Sequence, residues 1–345
     1  MILSILYSLQ HLLSVLSKNK KLKMCYIILS FLIFIFIYTL KPDTYDIISY
    51  VKTVDYPYFE PLFTFLILLL RPFFDNRVVI FIIQFLIFIL TLFTINLYLK
   101  KYENNNDKIL SYIYVLFSVG FTLGINNGLR SYTASLIIFI SIYLYLQDKK
   151  IKSFLVFLIS IFFHYSSFIF FFVIIIVSFF SKKYYFQKHT FFYNKKMYLS
   201  LKILIIIFIL FVMIGIFLLP FFIKYTPYAG YFNRNIIQGR VDFTIKYIPM
   251  LFIYLFSEFY FGKIDRNDYI FSQLRIIRAF FIILMGGFVF FNSLNELSSR
   301  VLGFYYTLEM IILALANVKN YKNSSIIINL GYSMAINAIN VIGRI

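Results

Sequence analysis

Long apolar runs, separated by short polar segments, make up nearly the whole chain. They are about 15 to 28 residues long, and a run of about 18 or more with few charges fits a lipid bilayer better than a soluble core. The clearest of them cover residues 24–40, 78–99, 109–125, 132–146, 203–223, 247–261, 276–291 and 301–317. We therefore predict an all-α integral membrane protein that forms one polytopic domain over residues 1–345, with about 10–12 transmembrane helices.

The lysine clusters between the runs predict which loops face the cytoplasm. Cytoplasmic loops carry an excess of Lys and Arg, so the clusters in residues 18–23, 100–108 and 149–152 are placed inside. An even number of crossings must then separate the first two clusters. The run 61–74 breaks this parity, and as a helix it would be only about 20 Å long. We predict that this run is re-entrant or interfacial and that residues 41–77 form an outer loop.

A second change of direction is predicted at His164. The loop 181–202 holds six Lys and no acidic residue, which is typical of a basic cytoplasmic loop. Because residues 149–152 are also inside, the run 153–180 must turn back, and it does so at the polar sequence that begins with His164. The remaining polar segments are predicted to lie outside, inside and outside, in the order 224–246, 262–275 and 292–300.

Composition argues against several classes of function. The chain is 61% apolar and 14% charged, whereas about a quarter of a soluble domain is charged. A net charge of +19 would suggest a nucleic-acid partner for a soluble protein, but these lysines lie in short clusters between apolar runs, so no nucleic acid is expected. The single Cys allows no disulfide within the chain, and His11 and His189 are remote from His164. We expect no metal and no cofactor.

Arginine does not follow the lysine pattern. Of 23 Lys, four are predicted to lie outside, whereas six of the ten Arg lie outside or at the outer ends of spans. These six are Arg71, Arg77, Arg130, Arg234, Arg240 and Arg300. The planar guanidinium group suits two-pronged contacts to phosphate and carboxylate, so several Arg around an outer cavity indicate an anionic, phosphorylated substrate. The alternative is that these side chains extend to lipid headgroups.

Arg130 and His164 are the strongest single candidates for chemistry. Arg130 follows a polar break between two apolar runs, where a charge is unfavourable unless it faces a cavity or a partner. His164 lies at the predicted turn, although a lone His in a membrane can also be a structural hydrogen bond between helices. Among the few acidic residues, Asp43, Asp46 and Glu60 fall on the same predicted side. Such carboxylates could act as a general base, pair with Arg, or belong to a solvated loop.

Three short motifs within residues 43–180 have the order and spacing found in a known family. They are Asp43-Thr44-Tyr45-Asp46 with Tyr50 and Glu60-Pro61-Leu62-Phe63, then Gly128-Leu129-Arg130, then Phe163-His164-Tyr165-Ser166-Ser167 after a Lys-rich turn. In these motifs the chain resembles the EpsG family, a Wzy-like group of polysaccharide polymerases. It departs from the family pattern at Lys41-Pro42, where many members have Arg and Gly, and at Ser131, where many have Gln.

The resemblance implies a glycosyltransferase that polymerises a surface polysaccharide: an exopolysaccharide, a capsule or an O-antigen. The enzyme would lie in the bacterial cytoplasmic (inner) membrane as a multi-pass protein. At the outer face, it would transfer a growing glycan from undecaprenyl pyrophosphate to a lipid-linked repeat unit. The expected partners are this undecaprenyl-pyrophosphate-linked oligosaccharide, membrane lipids, a flippase and a chain-length regulator.

Charge pattern and resemblance together give the candidate site residues. The catalytic candidates are Arg130, His164, Asp43, Asp46 and Glu60. Fixed positive charge at Arg130 would stabilise the departing pyrophosphate without a metal, and the histidine or a carboxylate would accept the proton of the sugar hydroxyl. The substrate-binding candidates are Tyr50, Arg234, Arg240 and Arg300. The second half of the chain matches the family only in hydropathy, so these last three are inferred from residue type and predicted side.

Two other functions use similar residues. A transporter or flippase of lipid-linked oligosaccharide would also need cations in a cavity, but it would more often show an internal repeat and charges near the bilayer centre. An O-antigen ligase would differ from a polymerase in its acceptor, which the sequence does not specify. Because the polar residues gather at the outer ends of the runs, the enzyme is favoured over the transporter.

Overall fold

Every regular element in the computed structural model is helical over the residues that it describes. These residues are 21, 25, 45–100, 111, 112, 115, 116, 118, 120, 121, 124, 125, 128–170, 247, 248, 251, 252, 254, 255, 257, 268–290 and 295–318. The helices are α1 (Tyr45–Thr53), α2 (Pro61–Leu70), α3 (Asn76–Leu99), α4 (Leu129–Leu146), α5 (Lys150–Phe163), a 3-10 helix (Tyr165–Ile169), α6 (Tyr269–Phe290) and α7 (Asn295–Val318). The all-α prediction is confirmed for this part of the chain, and the number of membrane crossings stays a prediction.

The chain divides into two compact units. One is formed by Met1–Ile175 with Tyr306–Ser333, and the other by Ile176–Tyr305 with Met334–Ile345. Helices α1 to α5 belong to the first unit, as does the part of α7 that begins at Tyr306. Helix α6 belongs to the second unit.

Within the described residues, α3 and α4 are the two helices that are long and apolar enough to cross a membrane. They have 24 and 18 residues, which correspond to about 36 and 27 Å of helix, against a hydrocarbon core of about 30 Å. They begin two or three residues before the predicted runs 78–99 and 132–146 and end with them. The two helices are joined by a buried hydrogen bond, since the Tyr98 hydroxyl donates to the Phe139 carbonyl at 2.6 Å.

The C-terminal part of α7 packs into the first unit through small and polar side chains. The hydroxyls of Ser135 and Thr307 lie 2.8 Å apart, and Ser111 donates to the carbonyl of Ala314 at 2.9 Å. The backbone at Gly120 lies so close to that of α7 that a Cβ at this position would be 2.5 Å from the carbonyl oxygen of Tyr306. Small residues of this kind let membrane helices approach closely, with hydrogen bonds across the contact.

Helices α4 and α5 form an antiparallel hairpin. Its turn contains Asp148 with φ 59°, a left-handed conformation that Asp adopts more readily than most residues. Ser141 and Ser153 each donate to the backbone carbonyl of the other, at 2.7 and 2.8 Å. These reciprocal bonds fix the register of the hairpin, so the first turn of α4 and the last turn of α5 lie at the same open end.

The predicted changes of direction fall on two short elements. Helix α2 has 10 residues, about 15 Å, which is half the thickness of a hydrocarbon core. Such a length suits the predicted re-entrant or interfacial segment, whose placement in a membrane stays a prediction. Helix α5 ends at Phe163 and the 3-10 helix follows, so the helix is interrupted at His164, while the predicted change of direction stays a prediction. The loops 181–202 and 224–246 and the return arm after residue 170 lie outside the described residues.

Two predicted loop boundaries are wrong. Helix α6 begins inside the predicted inner loop 262–275, and α7 begins at Asn295, inside the predicted outer loop 292–300. The start of α6 is fixed by Asp268, whose Oδ1 accepts a hydrogen bond from the Phe271 amide at 3.1 Å, as an N-cap residue does. The cap at Asp268 lets α6 begin among polar residues that the sequence pattern had assigned to a loop.

Candidate functional site

Three residues far apart in sequence meet in the first unit. The Glu60 carboxylate is 2.5 Å from Nη1 of Arg130 through Oε2, and 2.6 Å from Nδ1 of His164 through Oε1. The acid lies before α2, the arginine in the first turn of α4, and the histidine at the end of α5. The open end of the α4–α5 hairpin thus brings the cation and the imidazole together, and one carboxylate joins them.

The chain reaches Glu60 in an extended conformation and turns there into α2. Its φ and ψ are −59° and 151°, as expected for a residue before proline, and Pro61 occupies the first helical position, where no amide hydrogen is needed. The carboxylate makes no capping bond to its own helix. Both of its oxygens are instead engaged by Arg130 and His164, and the residue is buried.

Arg130 is anchored on one side and accessible on the other. Its Nε donates to the Tyr50 hydroxyl at 3.4 Å, and its guanidinium carbon lies 4.7 Å from the centre of the Phe59 ring. A guanidinium has five N–H donors, and its Nη2 group makes no hydrogen bond to any residue in the described part of the chain. The side chain is 26% exposed. Arg130 is therefore held in one orientation with donors available for an anion.

His164 is placed by the interruption that follows α5. It has an extended backbone conformation, its amide donates to the Ser160 carbonyl at 3.0 Å, and its own carbonyl accepts from the Ser167 amide at 3.0 Å. The ring nitrogen Nδ1 faces an ionised carboxylate, so it carries the hydrogen of that bond. In the neutral ring the other nitrogen, Nε2, then bears the lone pair, as a general base requires.

The electrostatics of the cluster separate the roles of the acid and the imidazole. Burial by itself raises the pKa of the Glu60 carboxyl, but the hydrogen bond with His164 and the charge of Arg130 outweigh burial and lower that pKa to about 2. The carboxylate is therefore ionised at any physiological pH and is a weak base. It is better suited to orienting His164 and Arg130 than to removing a proton from a sugar hydroxyl.

Of the predicted site residues, Tyr50, Glu60, Arg130 and His164 come together. Arg71 does not join them, since its Nη1 donates to the Asp55 carbonyl at 2.8 Å. The remaining candidates fall outside what the structure describes: Asp43, Arg234 and Arg240 entirely, and Asp46 and Arg300 in their side chains.

Two residues that the sequence analysis did not select are prominent in the structure. Phe59 contacts the guanidinium of Arg130, and its position immediately before Glu60 could have indicated this. Arg278, in α6 of the second unit, is fully buried, donates to the Ser257 hydroxyl and lies over the ring of Tyr254 at 4.8 Å. A charge within the predicted apolar run 276–291 was the signal that could have identified Arg278.

Comparison with known protein families gives a match over nearly the whole chain. The model of the EpsG family matches residues 23–343, which is nearly the whole chain and includes all four residues of the described site. No curated protein and no solved structure matches the chain.

Proposed function

The chain belongs to the EpsG family, a Wzy-like group of polysaccharide polymerases, and from this we propose that it polymerises a bacterial surface polysaccharide from lipid-linked repeat units. The growing glycan is transferred from undecaprenyl pyrophosphate to a sugar hydroxyl of an incoming lipid-linked unit, at the outer face of the cytoplasmic membrane. One observation carries the proposal: the carboxylate of Glu60 contacts both the partly exposed Arg130 and the buried His164.

The proposed transfer makes one bond and breaks one bond. The acceptor hydroxyl oxygen bonds to the anomeric carbon of the donor sugar, and the bond from that carbon to the pyrophosphate oxygen breaks. The leaving undecaprenyl pyrophosphate takes the electron pair. The hydroxyl proton passes to Nε2 of His164. Donors of Arg130 stabilise the negative charge that builds on the leaving group, so the chemistry proposed here needs no metal.

Glu60 has a positioning role in this mechanism. Its bond to Nδ1 keeps the imidazole in the tautomer whose lone pair is on Nε2, and its charge stabilises the imidazolium that forms when the proton is taken. Its other oxygen holds Arg130 by Nη1, so base and anion-binding group are oriented by one rigid carboxylate. A transporter of the same lipid-linked sugars would need cationic side chains but no oriented base.

Exposed apolar side chains support a place in a membrane. Helices α2, α3 and α5 carry large apolar side chains that are exposed on the protein surface. Examples are Phe65, Leu69, Phe93, Phe154 and Leu155. Apolar surface of this extent is unusual on a soluble monomer. Together with the lengths of α3 and α4, it supports the proposed multi-pass protein of the cytoplasmic membrane.

The proposed function is tested by deleting the gene and sizing the lipid-linked glycans that the cells contain. Single repeat units on the lipid, accessible from the outer face, are expected, and a plasmid copy of the gene should restore the long chains. Full-length polymer that stays unattached to its final acceptor would instead indicate a ligase. Repeat units trapped on the cytoplasmic side would indicate a flippase, and either result would overturn the proposal.

A further inference from the structure

Two tyrosines beside the site are exposed to an unusual degree. Residues 54–60, here called the aromatic loop, connect α1 to α2. Tyr56 is 83% exposed and Tyr58 is 79% exposed, whereas Glu60 at the end of the same loop is 4% exposed. The aromatic loop therefore directs its last residue into the site while its two tyrosine rings face outward.

The aromatic loop is held in place at several points. Pro57 fixes its own φ and restricts Tyr56 to an extended conformation. The carbonyl of Asp55 accepts from Arg71 at 2.8 Å, and its Oδ2 accepts from Asn76 at 3.0 Å. Thr64 donates to the Phe59 carbonyl at 3.0 Å. Because the backbone is already ordered, binding to the tyrosines would lose little conformational entropy.

A continuous path of rings leads from the outer surface to Arg130. The ring of Tyr58 stacks on that of Phe59, with centres 6.0 Å apart and planes at 23°. Phe59 in turn lies 4.7 Å from the guanidinium carbon of Arg130. Tyr58 is thus one ring away from the group that binds the pyrophosphate in the proposed mechanism.

We propose that Tyr58, together with Tyr56, forms a subsite that binds sugar rings of the oligosaccharide next to Arg130. The C–H face of a pyranose ring is apolar and slightly positive, and it packs on the negative face of an aromatic ring. The phenol hydroxyls can add hydrogen bonds to sugar hydroxyls. This inference rests on the proposed function, because it names the part of the polymerase substrate that these residues recognise.

The inference is tested on full-length protein in lipid nanodiscs, with oligosaccharide released from the lipid-linked repeat units of the deletion strain as the probe. Binding is measured by saturation-transfer NMR, and the KM and kcat of polymerisation are measured with the intact lipid-linked units. Tyr58→Ala should weaken binding and raise KM by about tenfold, the loss of roughly one good aromatic contact, while kcat stays within about twofold. Tyr58→Phe should retain most of the binding.

Phe73→Ala is the matched control, since Phe73 is 76% exposed but has no part in the proposed subsite. If Tyr58→Ala and Phe73→Ala bind oligosaccharide like the wild type and both lower the amount of protein in the membrane, the tyrosines are interfacial anchors and the inference is wrong. Wild-type protein that binds no oligosaccharide would also overturn it. If wild-type protein binds the oligosaccharide through Tyr58 but forms no polymer, the subsite stands and the proposed function fails.

Discussion

Arg130 in the first unit and Arg278 in the second both lie in helices made mainly of apolar residues, and both stack on an aromatic ring. Arg130 is paired with a carboxylate and keeps a quarter of its side chain accessible. Arg278 has no exposed surface, and its contacts include the Ser257 hydroxyl and the Tyr254 ring. A charge enclosed on every side acts on folding, whereas a charge that is oriented and accessible can also meet a ligand.

The comparison predicts that Arg130 is sensitive to the shape of its side chain. Arg130→Lys keeps the charge but loses the planar fork, and turnover of lipid-linked repeat units should fall by about 10²–10³ while the amount of protein in the membrane is unchanged. The control is Arg77→Lys, since Arg77 is an exposed residue of α3; this variant should retain wild-type turnover. Full-length polymer from the Arg130→Lys enzyme would mean that the residue anchors a headgroup or acts by charge alone.

For Arg278 the expected loss is in stability. Arg278→Ala leaves a cavity and removes the partner of the Ser257 hydroxyl, and it should lower the free energy of unfolding by about 2–4 kcal/mol. Thermal unfolding of the detergent-solubilised protein measures this, with the exposed Lys152→Ala as the control. Turnover per folded molecule should stay near that of the wild type. If the Arg278→Ala protein had normal stability but no activity, Arg278 would not be the purely structural counterpart of Arg130.

The smallest expected effect is the loss of stability at acid pH that results from protonation of Glu60. Because the folded state lowers the pKa of this carboxyl from 4.5 to about 2, its ionised form stabilises the fold above pH 4.5, and this contribution is lost as the pH falls toward 2. The free energy of unfolding should drop across this interval by on the order of 1–3 kcal/mol. Unfolding midpoints measured across the interval should show a weaker dependence in Glu60→Gln; equal slopes for both proteins would contradict an ionic link to Arg130 and His164.

Apolar pattern was enough to predict α3 and α4, because a long run without charges can hardly form anything but a helix that packs or spans. It failed at the start of α6, where the helix begins at Tyr269, capped by Asp268, and includes Gln273 and Arg275. A boundary drawn at the last charge before an apolar run is wrong whenever the helix is capped further upstream.

For the site, the sequence identified Arg130 and His164 as polar residues at breaks between apolar runs. It could not show that Glu60 contacts both of them, because these contacts join residues 70 and 104 positions apart. The only sequence signal for Phe59 was its position next to Glu60, because its residue type is uninformative in a chain with 46 phenylalanines.

In the hairpin of α4 and α5, the effect of an insertion or deletion on the site depends on where it falls. One residue added within either helix would rotate everything beyond it by about 100° and shift it by about 1.5 Å, so that Arg130 and His164 would no longer both face Glu60. The same residue added at the turn around Asp148 would extend a surface connection, where length changes are usually tolerated. Over evolution, natural variants should therefore keep the spacing from Arg130 to Ser141 and from Ser153 to His164 constant while the turn between them changes in length.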